Sequence, residues 1–211
     1  APALLLVAYR VPAWLEQAWE GNHDAVDVLV CRKEKWLDWL LIICWIVLSL
    51  ATLQFWGVSR AGFAVLVLCA GLLMLAHIDL RTGLLPDILT LSLMWLGILF
   101  HLWGGWVSLS ASVAGAVVGY GLLWFIFRLY KWKTGREGMG YGDFKLTAAL
   151  GAWLGLQAMP SLLLYASAAG ALVGVVLQYG FRLSARTAIP FGPFLVIAGI
   201  LILFLEYAPF R

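Results

Sequence analysis

Charge is scarce in this chain. Only 12% of its 211 residues are Asp, Glu, Lys or Arg, against 64% hydrophobic residues, and the mean hydropathy is +0.95. A soluble domain of this size has no use for so much apolar surface, so the composition implies a polytopic membrane protein. Cysteine is scarce as well. Cys31, Cys44 and Cys69 form neither a CxxC pair nor an even framework, which argues against a disulfide scaffold or a metal centre and leaves buried thiols as the expectation. No serine sits in a G-x-S-x-G elbow, and His23, His77 and His101 are scattered. A phosphate loop is disfavoured too, because the one glycine-rich stretch lacks a preceding strand and a GK[ST] ending.

What the chain does contain is long apolar runs. Roughly 20 apolar residues span a bilayer, and shorter runs span where the bilayer thins. That ruler places helices at residues 1–9 (partial), 37–56, 62–80, 88–103, 109–127, 144–158, 160–180 and 191–207, with turn residues between them. The fold expected is all-α and polytopic, with about eight transmembrane helices. The chain starts at Ala1 without a methionine, and its first apolar stretch is too short to span, so residues 1–36 read as a partial helix and a short loop. Residues 37–211 read as the multi-helix domain.

The basic residues orient these helices. If they alternate, one set of loops holds Arg10, Arg32, Lys33, Lys35, Arg81, Arg128, Lys131, Lys133, Arg136, Lys145, Arg182 and Arg186, and the other only Arg60 and Arg211. Twelve against two places the first set in the cytoplasm. Tryptophans near helix ends (Trp36, Trp39, Trp56, Trp103, Trp106, Trp132) read as interfacial anchors. AGAVVGYG (114–121) and SAAGALVG (167–174) read as small-residue helix contacts.

Two aspartates stand at the edges of apolar segments. Asp79 ends LVLCAGLLMLAHID, and Asp143 lies in GMGYGDFKL, just before the next apolar run. An ionisable group beside hydrocarbon costs at least a few kcal/mol and suggests function. The charge asymmetry puts both on the cytoplasmic side, where a close pair would share a proton and do acid/base work. The plain alternatives are an ion pair of Asp79 with Arg81 and a helix N-cap for Asp143. Asp87, just after Pro86 and before ILTLSLMW, reads as an N-cap. His77, two residues before Asp79, points away from it on a helix. Gly138, Gly140 and Gly142 allow close backbone approach or hinge motion.

The segments IDLRTGLLPDILTLSLMWLG (78–97) and GMGYGDFKLTAALGAWLG (138–155) resemble the type IV prepilin peptidase family, membrane aspartyl proteases with a GxGD-type signature. AIPFGPFL (188–195) resembles the family's PFGP segment, and VAYRVP (7–12) its region after the first helix. The likeness covers nearly the whole chain, is weakest over 13–36, and is closest to the members that process type II secretion pseudopilins. It implies that Asp79 and Asp143 are the catalytic pair. Gly140, Gly142, Lys145, Asp87, Pro190 and Gly192 are candidates for substrate binding or loop support. The implied reaction is cleavage of a prepilin's basic leader after a glycine, at the cytoplasmic face of a bacterial inner membrane. Many such enzymes then methylate the new N-terminus with S-adenosylmethionine; the peptidase step is expected to need no cofactor.

One departure stands out. Many relatives carry two CxxC pairs in the loop after the first helix, and this chain has only Cys31 there, so no metal is expected. No segment looks like a methyl-donor site. The expected partners are the hydrophobic N-terminal helix of a prepilin and the lipid bilayer, with no nucleic acid. Glu16, Glu20, Asp24, Asp27 and Glu34 either attract the basic leader or form a solvated loop face. Two other readings compete. A proton- or cation-coupled transporter with paired carboxylates needs ionisable groups on both sides of the midplane. A non-enzymatic secretion component would tolerate asparagine at Asp79 or Asp143.

Overall fold

In the computed structural model, the described residues are 35–135, 139–180 and 190–208. Among them the chain forms seven α-helices and no strand. These are α1 (Lys35–Trp56), α2 (Arg60–Thr82), α3 (Asp87–Leu102), α4 (Leu109–Thr134), α5 (Tyr141–Leu154), α6 (Met159–Gly180) and α7 (Gly192–Glu206). A 3-10 turn, Leu156–Ala158, joins α5 to α6. The helix expected over residues 1–9, the loop after it and Cys31 lie outside the described residues.

Four segments are long and apolar enough to cross a membrane: Trp36–Trp56, Arg60–Thr82, Leu109–Thr134 and Leu156–Leu177. The other three helices have 16, 14 and 15 residues in chain order. At 1.5 Å per residue these reach about 21–24 Å, short of a hydrocarbon core of about 30 Å. α5 is short because it is the centre of the bundle. From Phe144 to Leu154 all of its residues are buried except half-buried Lys145. Its small residues let α4 approach closely: a Cβ on Gly115 would collide with the carbonyl of Gly151. Ser112 Oγ donates to the Ala152 carbonyl at 2.6 Å in the same interface. The 114–121 stretch is thus a packing face. In the 167–174 stretch, Gly170 makes only ordinary contact with Phe191 and Phe194.

Helix ends follow their local chemistry. Ser59 caps α2 and Ser108 caps α4, each hydroxyl accepting an amide N–H from three residues on. α2 stops at Gly83, whose φ of +65° is left-handed and whose N–H returns to the Asp79 carbonyl at 2.8 Å. α4 continues to Thr134, beyond the expected end at 127, because the charged turn that ends an apolar run still favours helix. α5 ends at Leu154 rather than 158, because Gly155 turns the chain at φ +77°.

The core runs through α2, α5 and α7, with Leu72, Leu75, Leu150, Ile202 and Leu203 fully buried. The outer faces of α1, α4 and α6 expose Ile43, Val117 and Leu172, as suits an apolar solvent. The helices alternate in direction, so the start of α1, α3, α5 and α7 shares one end with the finish of α2, α4 and α6. Of the described lysines and arginines, Arg60 alone stands at the other end.

That other end is closed by aromatics. Phe100, His101, Trp106, Trp153 and Tyr207 form one ring cluster, and Trp56 meets Phe204 edge-on at 5.1 Å. Trp56 and Trp106 are thus packing residues, whereas Trp36, Trp39, Trp103 and Trp132 are exposed, as interfacial anchors would be. Cys69 is buried and Cys44 is half-buried, and both are free thiols.

Candidate active site

Asp79 sits in the last turn of α2, and its residue is only 4% exposed. The start of α7 lies against it. The backbone N–H of Gly192 faces the Asp79 carboxyl, and a Cβ on Gly192 would stand 2.5 Å from Asp79 Oδ2. Any side chain there would have to displace the carboxyl. Oδ2 is buried and has no hydrogen-bond partner among the described residues. A buried carboxyl oxygen left unpaired is costly and marks a place where polar chemistry is to be done.

Asp143 sits in the first turn of α5 and is 6% exposed. The helix N-cap is Gly140, not Asp143. Asp143 lies three residues further in, and its carboxyl turns back toward the Gly140 N–H, with Oδ2 3.7 Å from where a Cβ on Gly140 would stand. This is the acidic half of a capping box without its hydroxyl half.

The two carboxyls are coupled electrostatically, the charge of Asp79 acting on Asp143. Each also lies at a helix N-terminus, Asp79 at α7 and Asp143 at α5. The unpaired amides there supply positive partial charge to each carboxyl. The site therefore has two acids out of water, held by glycine-lined backbone, at the end of the bundle that carries most of the basic residues. Such a pair suits proton transfer to and from a water molecule.

The remaining candidates fall into two groups. Gly142 presses on the connection after α2, since a Cβ there would stand 2.7 Å from Leu85 Cβ. Lys145 Nζ lies 2.5 Å from Asp87 Oδ1. Pro190 is half-buried and immediately precedes Phe191, the N-cap of α7. Asp87 is not the N-cap expected from the sequence. Pro86 takes that place, Asp87 is the first residue of α3, and no side chain caps the helix. Shifted one position inward, its carboxylate is free to reach Lys145 across the chain. Gly138 and the acidic residues Glu16, Glu20, Asp24, Asp27 and Glu34 lie outside the described residues.

The plain alternative for Asp79 was a pair with Arg81, but Arg81 pairs with Asp38. Arg81 Nη2 bonds Asp38 Oδ1 at 2.6 Å, and His77 Nε2 lies 3.3 Å from the same oxygen. His77 and Arg81 are four residues apart on one face of α2, while Asp79 points away from that face. Asp38 was not singled out from the sequence. The signal was present, because Asp38 stands at the edge of an apolar run as Asp79 does.

A groove of 480 Å³ runs along the outer face of α3 from Asp87 past Leu91 and Trp95 to Leu99. Asp87 and Ser92 are its only polar residues. A groove so apolar does not supply the donors and acceptors that adenosine and an amino-acid group require, so it does not fit S-adenosylmethionine.

Similarity to known proteins adds to this geometry. The type IV leader peptidase family matches residues 66–175, which include both aspartates. The chain is 49% identical over 157 residues to the prepilin leader peptidase/N-methyltransferase of Burkholderia pseudomallei (strain 1026b), covering 74% of this chain and 51% of that protein. It is 47% identical to the protein of the same name from Pectobacterium carotovorum subsp. carotovorum, over 69% of this chain and 52% of the relative. The counterpart from Aeromonas salmonicida (strain A449) is 43% identical over 88% of this chain and 61% of its own length. The chain thus spans about half the length of the curated relatives it matches. No solved structure matches it significantly. By the extent of the family match, and by this agreement with several relatives, the chain belongs to the type IV leader peptidase family.

Proposed function

We propose that this chain forms the membrane-embedded part of an aspartyl endopeptidase that removes the basic leader of type IV prepilins or pseudopilins. The observation that carries the reading is that Asp79 and Asp143, both nearly out of solvent and within the family-matched segment, each lie at a helix N-terminus at one end of the bundle and feel each other's charge. Two carboxyls that feel each other's charge do not both ionise readily, and in this reading the pair shares one proton. The ionised member takes a proton from water while the water oxygen attacks the scissile carbonyl. The protonated member gives its proton to the carbonyl oxygen. When the tetrahedral intermediate collapses, the C–N bond breaks, the amine leaves with a proton, and the pair regains its starting state.

The bias of basic residues toward one set of loops supports the cytoplasmic face for this chemistry. The substrate's hydrophobic N-terminal helix lies in the bilayer beside the enzyme, its leader stays in the cytoplasm, and the cut follows a glycine. The membrane is the bacterial inner membrane, and type II secretion pseudopilins are the substrates nearest to this reading. The names of the relatives also carry N-methyltransferase. For the whole protein, methylation of the new N-terminus from S-adenosylmethionine is the second activity of this reading, and no step of it is assigned to the described residues.

The test is a precursor pilin incubated with membranes containing the whole protein, with the mature N-terminus read by mass spectrometry. Loss of the leader after a glycine is expected, with one methyl group added where the second activity is present. A precursor left intact overturns the peptidase reading, and a cut but unmethylated product overturns only the second activity.

A further inference from the structure

The segments that carry the two aspartates touch a second time, away from the carboxyls. Asp79 is followed by the helix stop at Gly83 and a short connection to Asp87, the first residue of α3. Lys145 follows Asp143 by two residues, so it leaves α5 on a different face. Across this second contact Lys145 Nζ meets Asp87 Oδ1 at 2.5 Å, and Leu85 presses on Gly142 beside it. Further along the same interface the Trp153 indole donates to the Leu93 carbonyl at 2.8 Å, fixing α5 against α3 at depth. The ion pair closes that interface at the end where the carboxyls lie.

We propose that the Asp87–Lys145 pair is a positioning latch that sets the register of the Asp79 segment against the Asp143 segment. The proposal rests on the peptidase reading above and assigns these two residues to alignment rather than to holding the leader. Their side chains are 60% and 28% exposed, for Asp87 and Lys145, so the pair adds little to global stability. Its effect is geometric. Acid/base catalysis by two groups on different helices is lost when one shifts, and a displacement of about 1 Å costs on the order of 10²-fold in rate. A direct leader-binding role for Asp87 makes the opposite forecast, since removing a binding contact raises KM and spares kcat.

The experiment measures kcat and KM for precursor cleavage by the whole protein in membranes, as wild type, Asp87→Asn, Lys145→Gln and the reversed pair D87K/K145D. The latch predicts that each single substitution lowers kcat by roughly 10-fold or more with KM almost unchanged and thermal unfolding unmoved, and that the reversed pair recovers most of the loss. A rise in KM with kcat intact, or a reversed pair no better than its worse single, overturns it. Proximity is read without any activity in protein with Cys31, Cys44 and Cys69 replaced by alanine and cysteines placed by D87C and K145C. A short thiol crosslinker should join them, and failure to do so overturns the latch even if cleavage is intact. A wild type that does not cleave, with the crosslink formed, overturns the peptidase reading alone.

Discussion

At the end of the bundle that holds Trp106 and Tyr207, aromatic polar atoms are tied to backbone. The Trp106 indole donates to the Trp153 carbonyl at 2.8 Å, and the Tyr207 hydroxyl to the Leu154 carbonyl at 2.5 Å. Rings stack or meet edge-on around them. At the end that holds Asp79 and Asp143, rings cluster as well (Phe127, Tyr141 and Phe144), but a glycine and a helix N-terminus lie against each carboxyl, and Asp79 Oδ2 is unpartnered among the described residues. One end ties its polar side-chain atoms to backbone, and the other keeps two buried carboxyls. On the proposed reading the tied-down aromatic packing and the chemistry lie at different ends of the bundle, with α5 joining them: Trp153 is near its finish and Asp143 near its start.

This contrast can be broken by substitution. The largest effect on folding is expected for Trp153→Ala, which empties a fully packed site and should cost about 3–5 kcal/mol in unfolding measured in detergent, while the folded fraction still cleaves. Gly192→Ala should do the reverse. Its Cβ would displace the Asp79 carboxyl, and cleavage should fall on the order of 10²-fold with a smaller change in unfolding. Asp38→Ala blurs the contrast, since it removes a structural partner at the chemical end. Leaving Arg81 without that carboxylate should cost about 2 kcal/mol of stability, below the usual range for a broken buried pair because Asp38 is partly exposed. Tyr207→Phe is the smallest, at about 1 kcal/mol for one lost hydrogen bond and no change in cleavage.

The element pattern was largely legible, because apolar runs and turn residues are local signals. Seven expected helices have counterparts among the described residues, and their ends moved where local chemistry competes with hydropathy, as at Gly155 and after Phe127. The placing of Asp79 and Asp143 at one end was legible from the basic residues. What joins distant segments was not. The Arg81–Asp38 and Lys145–Asp87 contacts span 43 and 58 residues of sequence, and nothing in a local window pairs them. The expected cap at Asp87 and the plain alternative of an Asp79–Arg81 pair gave way for that reason: a side chain near a helix end has local options, and a tertiary partner overrode them. The aromatic closure was hidden too, because a tryptophan near a helix end looks the same whether it anchors in lipid or packs inside.

The most direct test of the account compares precursor cleavage by wild type, Asp79→Asn and Asp143→Asn, read as a mobility shift alongside thermal unfolding. Asparagine keeps the shape and removes the acid, so each variant should fold like wild type and lose cleavage by roughly 10²–10⁴-fold. Retained cleavage in either variant would contradict the assignment of the pair.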